Sequence, residues 1–170
     1  MKRILDFYSV PRNFFILILL LQAAFWTCGP YYAFKLLPLD ALEAIVWGQD
    51  FTLGNVKHPP LTGWLAGLFA WLGDDVLLYL LSQLLVVCAF LFTYRLAREF
   101  FSRTLSIVAT LSLVFVVYYN FTTPEYNVNK PQIALWPAAA YFFVHAARSG
   151  SLKHWIGFGI AAGLCILTKY

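Results

Sequence analysis

Between Arg12 and Lys35 the chain carries no charged side chain. As a helix, residues 13–34 can cross the roughly 30 Å hydrocarbon core of a bilayer, for which about 20 apolar residues suffice. Residues 76–94 form a second charge-free stretch, and 105–119, 132–147 and 155–168 form three shorter ones. Only 12% of the 170 residues are charged and 61% are hydrophobic, against about 25% and 45–50% in soluble domains. That charge is too sparse for a soluble enzyme, a disordered chain or a nucleic-acid binder. Lys2, Arg3 and Arg12 make a basic flank, but no small-x-small cleavage site follows, so 13–34 reads as an uncleaved span.

One apolar segment, 61–72, is too short to cross, covering roughly 18 Å as a helix. Trp64 and Trp71, one heptad apart, suit a helix lying in the interface. Charge sorting agrees. If 61–72 lies flat, Lys2, Arg3, Arg12, Arg95, Arg98, Arg103, Arg148 and Lys153 share the cytoplasmic side. Lys35, Lys57, Lys130 and Lys169 then lie outside. If it crosses, every later loop flips and the bias reverses, against the positive-inside rule. The expected fold is therefore all-α and polytopic, with about five transmembrane helices and a cytoplasmic N-terminus. A long outside loop, 35–75, holds two interfacial helices, 40–51 and 61–72.

Six acids fall outside, and five of them, Asp40, Glu43, Asp50, Asp74 and Asp75, crowd into that loop. Asp40 and Glu43 are three apart and share a helix face, with Trp47 one turn on. Two such carboxylates can hold a cation, or one can act as a base that the other tunes. The same spacing is also a capping box, with Asp40 as N-cap and Glu43 at N3. Lys57-His58-Pro59-Pro60 is stiffened by its prolines. A lysine point charge beside a directional histidine donor suits a phosphate, but interfacial snorkelling explains Lys57 equally well.

Elsewhere the residues read more plainly. Asp74-Asp75 solvates a turn, and Glu125 and Lys130 sit in a polar outer loop, where lining the same cavity as the 35–75 loop and forming a plain polar turn explain them equally well. Asn120-Phe-Thr is a glycosylation sequon, meaningful only in a eukaryotic secretory context. His145 and His154 flank the cytoplasmic end of 132–147 without a metal-ligand companion. Cys28, Cys88 and Cys165 have no metal spacing and read as small buried hydrophobes. Lys169 ends the last apolar run, where a cation must snorkel or pair, and a lipid phosphate is a natural partner.

Several of these blocks together resemble a known family. They are Leu39-Asp-Ala-Leu-Glu43, Trp47-Gly48, Gly54 and Lys57-His-Pro-Pro-Leu61 with Trp64. Further along come Asn127-Val-Asn-Lys-Pro-Gln with Trp136-Pro137, and Gly163-Leu-Cys-Ile-Leu-Thr-Lys-Tyr170. The chain resembles bacterial polyprenyl-phosphate-dependent glycosyltransferases of the dolichyl-phosphate-mannose–protein mannosyltransferase-like family, in the GT-C superfamily. The lipid A aminoarabinose transferases are relatives.

The resemblance implies a bacterial inner-membrane enzyme with its active-site loop in the periplasm. It would transfer a sugar from a polyprenyl-phosphate donor to a lipid, glycan or protein acceptor. Asp40 matches the family's acidic position, as general base or charge stabiliser. Many members read Asp-Glu there, whereas this chain has Asp40-Ala41 with its acid at Glu43. His58 matches the family histidine, and Lys57, His58 and Lys169 would contact the donor phosphate. A divalent metal at Asp40 and Glu43 is compatible with that set. Family members are several times longer, so the chain is expected to be a truncated N-terminal portion. The competing reading is a non-catalytic membrane subunit or transporter fragment that binds a lipid head group.

Overall fold

The computed structural model describes residues 12–169. Lys2, Arg3 and Asp6, which carry part of the charge asymmetry, and Tyr170 lie outside the described residues. The described chain is helical throughout, with no strand. Its helices are α1 (Arg12–Ala33), α2 (Leu39–Gly48), α3 (Leu61–Trp71), α4 (Val76–Ala97), α5 (Arg103–Leu111), α6 (Asn129–Ser149) and α7 (Leu152–Ile166). Two of them are long and apolar enough to cross a membrane, Asn13–Ala33 and Val76–Ala97.

The stretch 105–119 departs from the expected single helix. Regular α structure stops at Leu111, and two 3-10 turns follow, Ser112–Phe115 and Val117–Tyr119. Val116 between them is extended. Local chemistry explains the break. Ser112 Oγ donates back to the Ala109 carbonyl at 2.7 Å, a bond that competes with the helix ladder. The β-branched Val116 then takes extended backbone between the two turns. The freed turn is tied to α1, where Gln22 Nε2 donates to the Tyr119 carbonyl and Trp26 Nε1 to Asn120 Oδ1, at 2.6 and 2.7 Å.

Hydrogen bonds sort the helix ends into two groups. At one end, the Leu61 amide donates to the Leu167 carbonyl at 2.9 Å. Tyr126, wholly buried, donates to the Thr62 carbonyl at 2.9 Å. At the other, Glu99 accepts from Arg148 at 2.9 Å and lies 3.1 Å from His145. The His145 ring stacks on His154. Both ends of α3 belong to the first group, because the residues after it reach Tyr31 at the end of α1. There the Tyr31 hydroxyl is 3.5 Å from Asp74 Oδ2.

Three clusters hold the bundle. Leu37, Ala41, Ala44, Ala66, Leu78, Tyr79, Leu81 and Tyr126 join α2 and α3 to the start of α4. Phe15, Leu19, Val86, Phe90 and Ile107 join α1, α4 and α5. Ala138, Ala139 and Ala161 join α6 to α7. Small residues let these last two helices approach closely. Gly150, in the left-handed conformation at φ 64°, makes the tight turn between them. Cys165 is buried, but Cys28 and Cys88 are exposed. They face outward from α1 and α4, so the buried-hydrophobe reading holds for one cysteine of three.

Candidate functional site

The acidic helix starts two residues earlier than the capping box requires. Pro38 occupies the N-cap position of α2 with no side-chain cap bond. Pro suits a helix start because it has no amide hydrogen to leave unpaired. Asp40 therefore lies within the first turn, where its charge favours the helix dipole, and the capping-box reading is corrected. Asp40 is exposed, and no described side chain bonds its carboxylate.

Glu43, one turn on, meets Lys57 instead. The Lys57 ammonium lies 2.9 Å from both Glu43 oxygens. It also sits 5.9 Å from the centre of the Trp47 ring, and the His58 ring meets Trp47 edge-on at 5.5 Å. The Lys-His pair is presented by an Asx turn. Asn55 Oδ1 accepts from the backbone amides of Lys57 and His58 at 2.8 and 2.9 Å. The Trp64 indole donates to the Thr52 carbonyl at 2.8 Å and fastens the loop to α3. Sequence reading missed both anchors; a loop asparagine two residues before a Lys-His pair is the signal that points to the first.

The loop can reach α2 because α2 and α3 cross on glycine. A Cβ at Gly48 would fall onto the Gly63 carbonyl oxygen and within 2.7 Å of the Gly67 Cα. One at Gly63 would meet Trp47 at 3.0 Å. The backbones themselves are in contact, which fixes the height of Glu43 above the Lys57 loop.

The result is a cavity of about 150 Å³ lined by Asp40, Glu43, Trp47, Lys57, His58, Asn127 and Val128. Four of the five predicted site residues converge there. Lys169 does not. It donates to Asn129 Oδ1 at 3.2 Å and ends a separate, mostly apolar groove with Gln132, Trp136, Phe158 and Ile166. Asn129 follows Asn127 and Val128 of the cavity wall, so the two sites share one loop.

Among the described residues no three His, Cys, Asp or Glu side chains gather to hold a metal ion. Magnesium is commonly held by one or two carboxylates, with waters and substrate phosphates completing its shell. Asp40 and Glu43 offer two carboxylates, one of them already facing the Lys57 ammonium.

Lys130 neither lines the Asp40–Lys57 cavity nor stands in an open polar turn, a further correction. It is 1% exposed, in the first turn of α6 ahead of the apolar stretch 132–147. Its ammonium donates to the Thr122 carbonyl at 2.7 Å and lies 6.0 Å from the Tyr118 ring centre. Burial pulls its pKa down to about 8, against a smaller opposing pull from Glu125.

A sequence profile described as dolichyl-phosphate-mannose-protein mannosyltransferase matches residues 57–170, more than half of the chain. The chain belongs to that family. Membership makes this mannosyltransferase-family chain a membrane glycosyltransferase of the GT-C type. The match takes in Lys57, His58 and Lys169 and leaves out residues 1–56, with Asp40 and Glu43. In this family member the acidic half of the cavity therefore rests on geometry, above all on the Glu43–Lys57 pair. No curated protein and no solved structure matches the chain.

Proposed function

We propose that the protein transfers a sugar from a polyprenyl-phosphate donor to a lipid, glycan or protein acceptor at the periplasmic face of a bacterial inner membrane. The convergence of Asp40, Glu43, Lys57 and His58 on one cavity carries this reading. In it the chain crosses at 13–34, 76–94, 105–119, 132–147 and 155–168, with the N-terminus in the cytoplasm. Helices α2 and α3 lie along the outer interface. The sorting of helix ends, with both ends of α3 at one end of the bundle, supports this arrangement. In the broken third crossing, the amides of Val116 and Tyr119 still bond to carbonyls three residues back, as backbone at membrane depth requires.

The chemistry follows from a donor whose tail stays in lipid while its phosphate-sugar head reaches water. The acceptor oxygen attacks the anomeric carbon as the bond from that carbon to the phosphate oxygen breaks. Positive charge develops on the sugar ring and negative charge on the departing phosphate. Asp40, exposed and unpaired among the described residues, takes the acceptor proton. Lys57 and His58 stabilise the leaving phosphate, with Glu43 holding Lys57 in place. Lys169, at the end of the neighbouring apolar groove, meets the same phosphate from the lipid side.

Membranes containing the protein, supplied with polyprenyl-phosphate-linked sugars, test the reading. Release of polyprenyl phosphate coupled to sugar transfer is expected, and Lys57→Gln is expected to slow it. Donor turnover equal to that of membranes lacking the protein contradicts it.

A further inference from the structure

A second cavity, of about 370 Å³, opens beside α2 at the same end of the bundle. It falls within the roughly 300–1,000 Å³ typical of small-molecule sites. Its walls come from the end of α1 (Tyr31, Tyr32), the connector that follows (Lys35) and the first turn of α4 (Asp75, Tyr79). None of these residues belongs to the Asp40–Lys57 cavity.

Tyr79 is the telling residue. It is 2% exposed, packed into the cluster of Leu37, Ala41 and Leu78, yet it lines the cavity. No described residue hydrogen-bonds its hydroxyl. The ring is buried while the hydroxyl opens on the cavity, where it can donate to or accept from a ligand hydroxyl in place of water. Asp75 is exposed and makes no side-chain hydrogen bond to a described residue. It stands at the start of α4 but makes no side-chain cap bond, because Asp74 Oδ1 accepts the Val76 amide at 2.9 Å instead. Lys35 forms no ion pair with a described residue. The cavity therefore presents a free carboxylate, a free ammonium and a free phenol. Beside them the Tyr31 and Tyr32 rings stand edge to face at 5.2 Å.

That set suits a neutral, hydroxyl-rich ring. Aromatic rings cover its apolar face, the carboxylate accepts from hydroxyl groups, and the ammonium and phenol donate to ring and hydroxyl oxygens. A phosphate is disfavoured, because Asp75 in the wall and Asp74 at the Tyr31 hydroxyl offset the single lysine. We propose that this cavity is a neutral-sugar subsite, distinct from the donor phosphate site. Its assignment to a glycan acceptor rests on the transfer reading above; sugar binding itself does not.

Saturation-transfer NMR on the protein in lipid nanodiscs tests the proposal, avoiding maltoside detergent, whose head group is itself a sugar. The probes are methyl β-glucoside, methyl α-mannoside and methyl N-acetyl-β-glucosaminide. At least one is expected to receive saturation. Tyr79→Phe and, independently, Asp75→Asn, which leaves the core untouched, are each expected to weaken binding about fivefold or more, the size of one lost hydrogen bond. No transfer to any probe, or transfer unaffected by both cavity variants, overturns the subsite. Failure of the transfer reading would show separately, as donor turnover insensitive to Lys57→Gln while glycoside binding persists.

Discussion

Lys57 lies 2.9 Å from both carboxylate oxygens of Glu43, fourteen positions earlier in the chain, and so ties the loop after α2 back onto α2. The pair is partly open to water, with side chains 55% and 33% exposed. Such pairs add about 1 kcal/mol or less to stability; this one serves to fix where a cation stands. Glu43→Gln is therefore expected to move the melting temperature little while lowering donor turnover about tenfold or more through a displaced Lys57. Thermal unfolding and turnover on the same preparation check the split. A large loss of stability would make Glu43 a structural residue instead.

The glycine crossing of α2 and α3 predicts a sharp contrast. Gly48→Ala forces a methyl group onto the Gly63 and Gly67 backbone, which cannot yield as a side chain does. Overpacking of this kind costs about 1–3 kcal/mol or more. Gly159→Ala, where nothing lies within 4 Å, is expected to be neutral or to stabilise α7 by up to about 1 kcal/mol. Comparative unfolding of the two variants checks this. Gly48→Ala is also expected to perturb the Lys57 loop, seen as altered proteolysis between Asp50 and Lys57.

Lys130 gives a pH dependence of definite sign. Its pKa falls from 10.5 to about 8 on folding, so between those values the unfolded chain binds more protons than the folded one. Stability contributed at this site then rises with pH. The cost of burying the ammonium is complete below about pH 8 and is relieved as pH climbs toward 10.5. The unfolding free energy of the wild type minus that of Lys130→Met, followed from about pH 7 to 10.5, is expected to rise across that window. A difference independent of pH would mean that Lys130 titrates normally.

Topology has its own test. In a background with Cys28, Cys88 and Cys165 replaced by Ala, Asp40→Cys and His58→Cys are expected to react with a membrane-impermeant thiol reagent added from the periplasmic side. Arg98→Cys is expected to react only from the cytoplasmic side. Labelling of the first two from the cytoplasm would reverse the orientation.

Much of this was legible in the sequence because polarity alone decides it. Long charge-free runs fix α1 and α4, and the prolines after His58 fix the start of α3. Asp40, Glu43, Lys57 and His58 were found as local blocks, and the structure brings them to one cavity. What stayed hidden depends on partners distant in sequence or on one side-chain rotamer. Pro38 displaces Asp40 from the N-cap through its missing amide hydrogen. The Ser112 hydroxyl ends α5 by bonding backward. Lys130 is buried because residues 118–126 fold over it, which no local pattern records. Lys169 shared the character of the site lysines, but its position at the end of α7 puts it on Asn129.

The central claim is that Asp40 is the base of a transfer centred on the Lys57 cavity. It is tested most directly by single-turnover sugar transfer from a polyprenyl-phosphate donor, comparing wild type with Asp40→Asn at equal folded protein. Loss of general-base catalysis predicts a rate lower by about 10²-fold or more, with donor binding retained. An Asp40→Asn rate equal to that of the wild type would contradict the account.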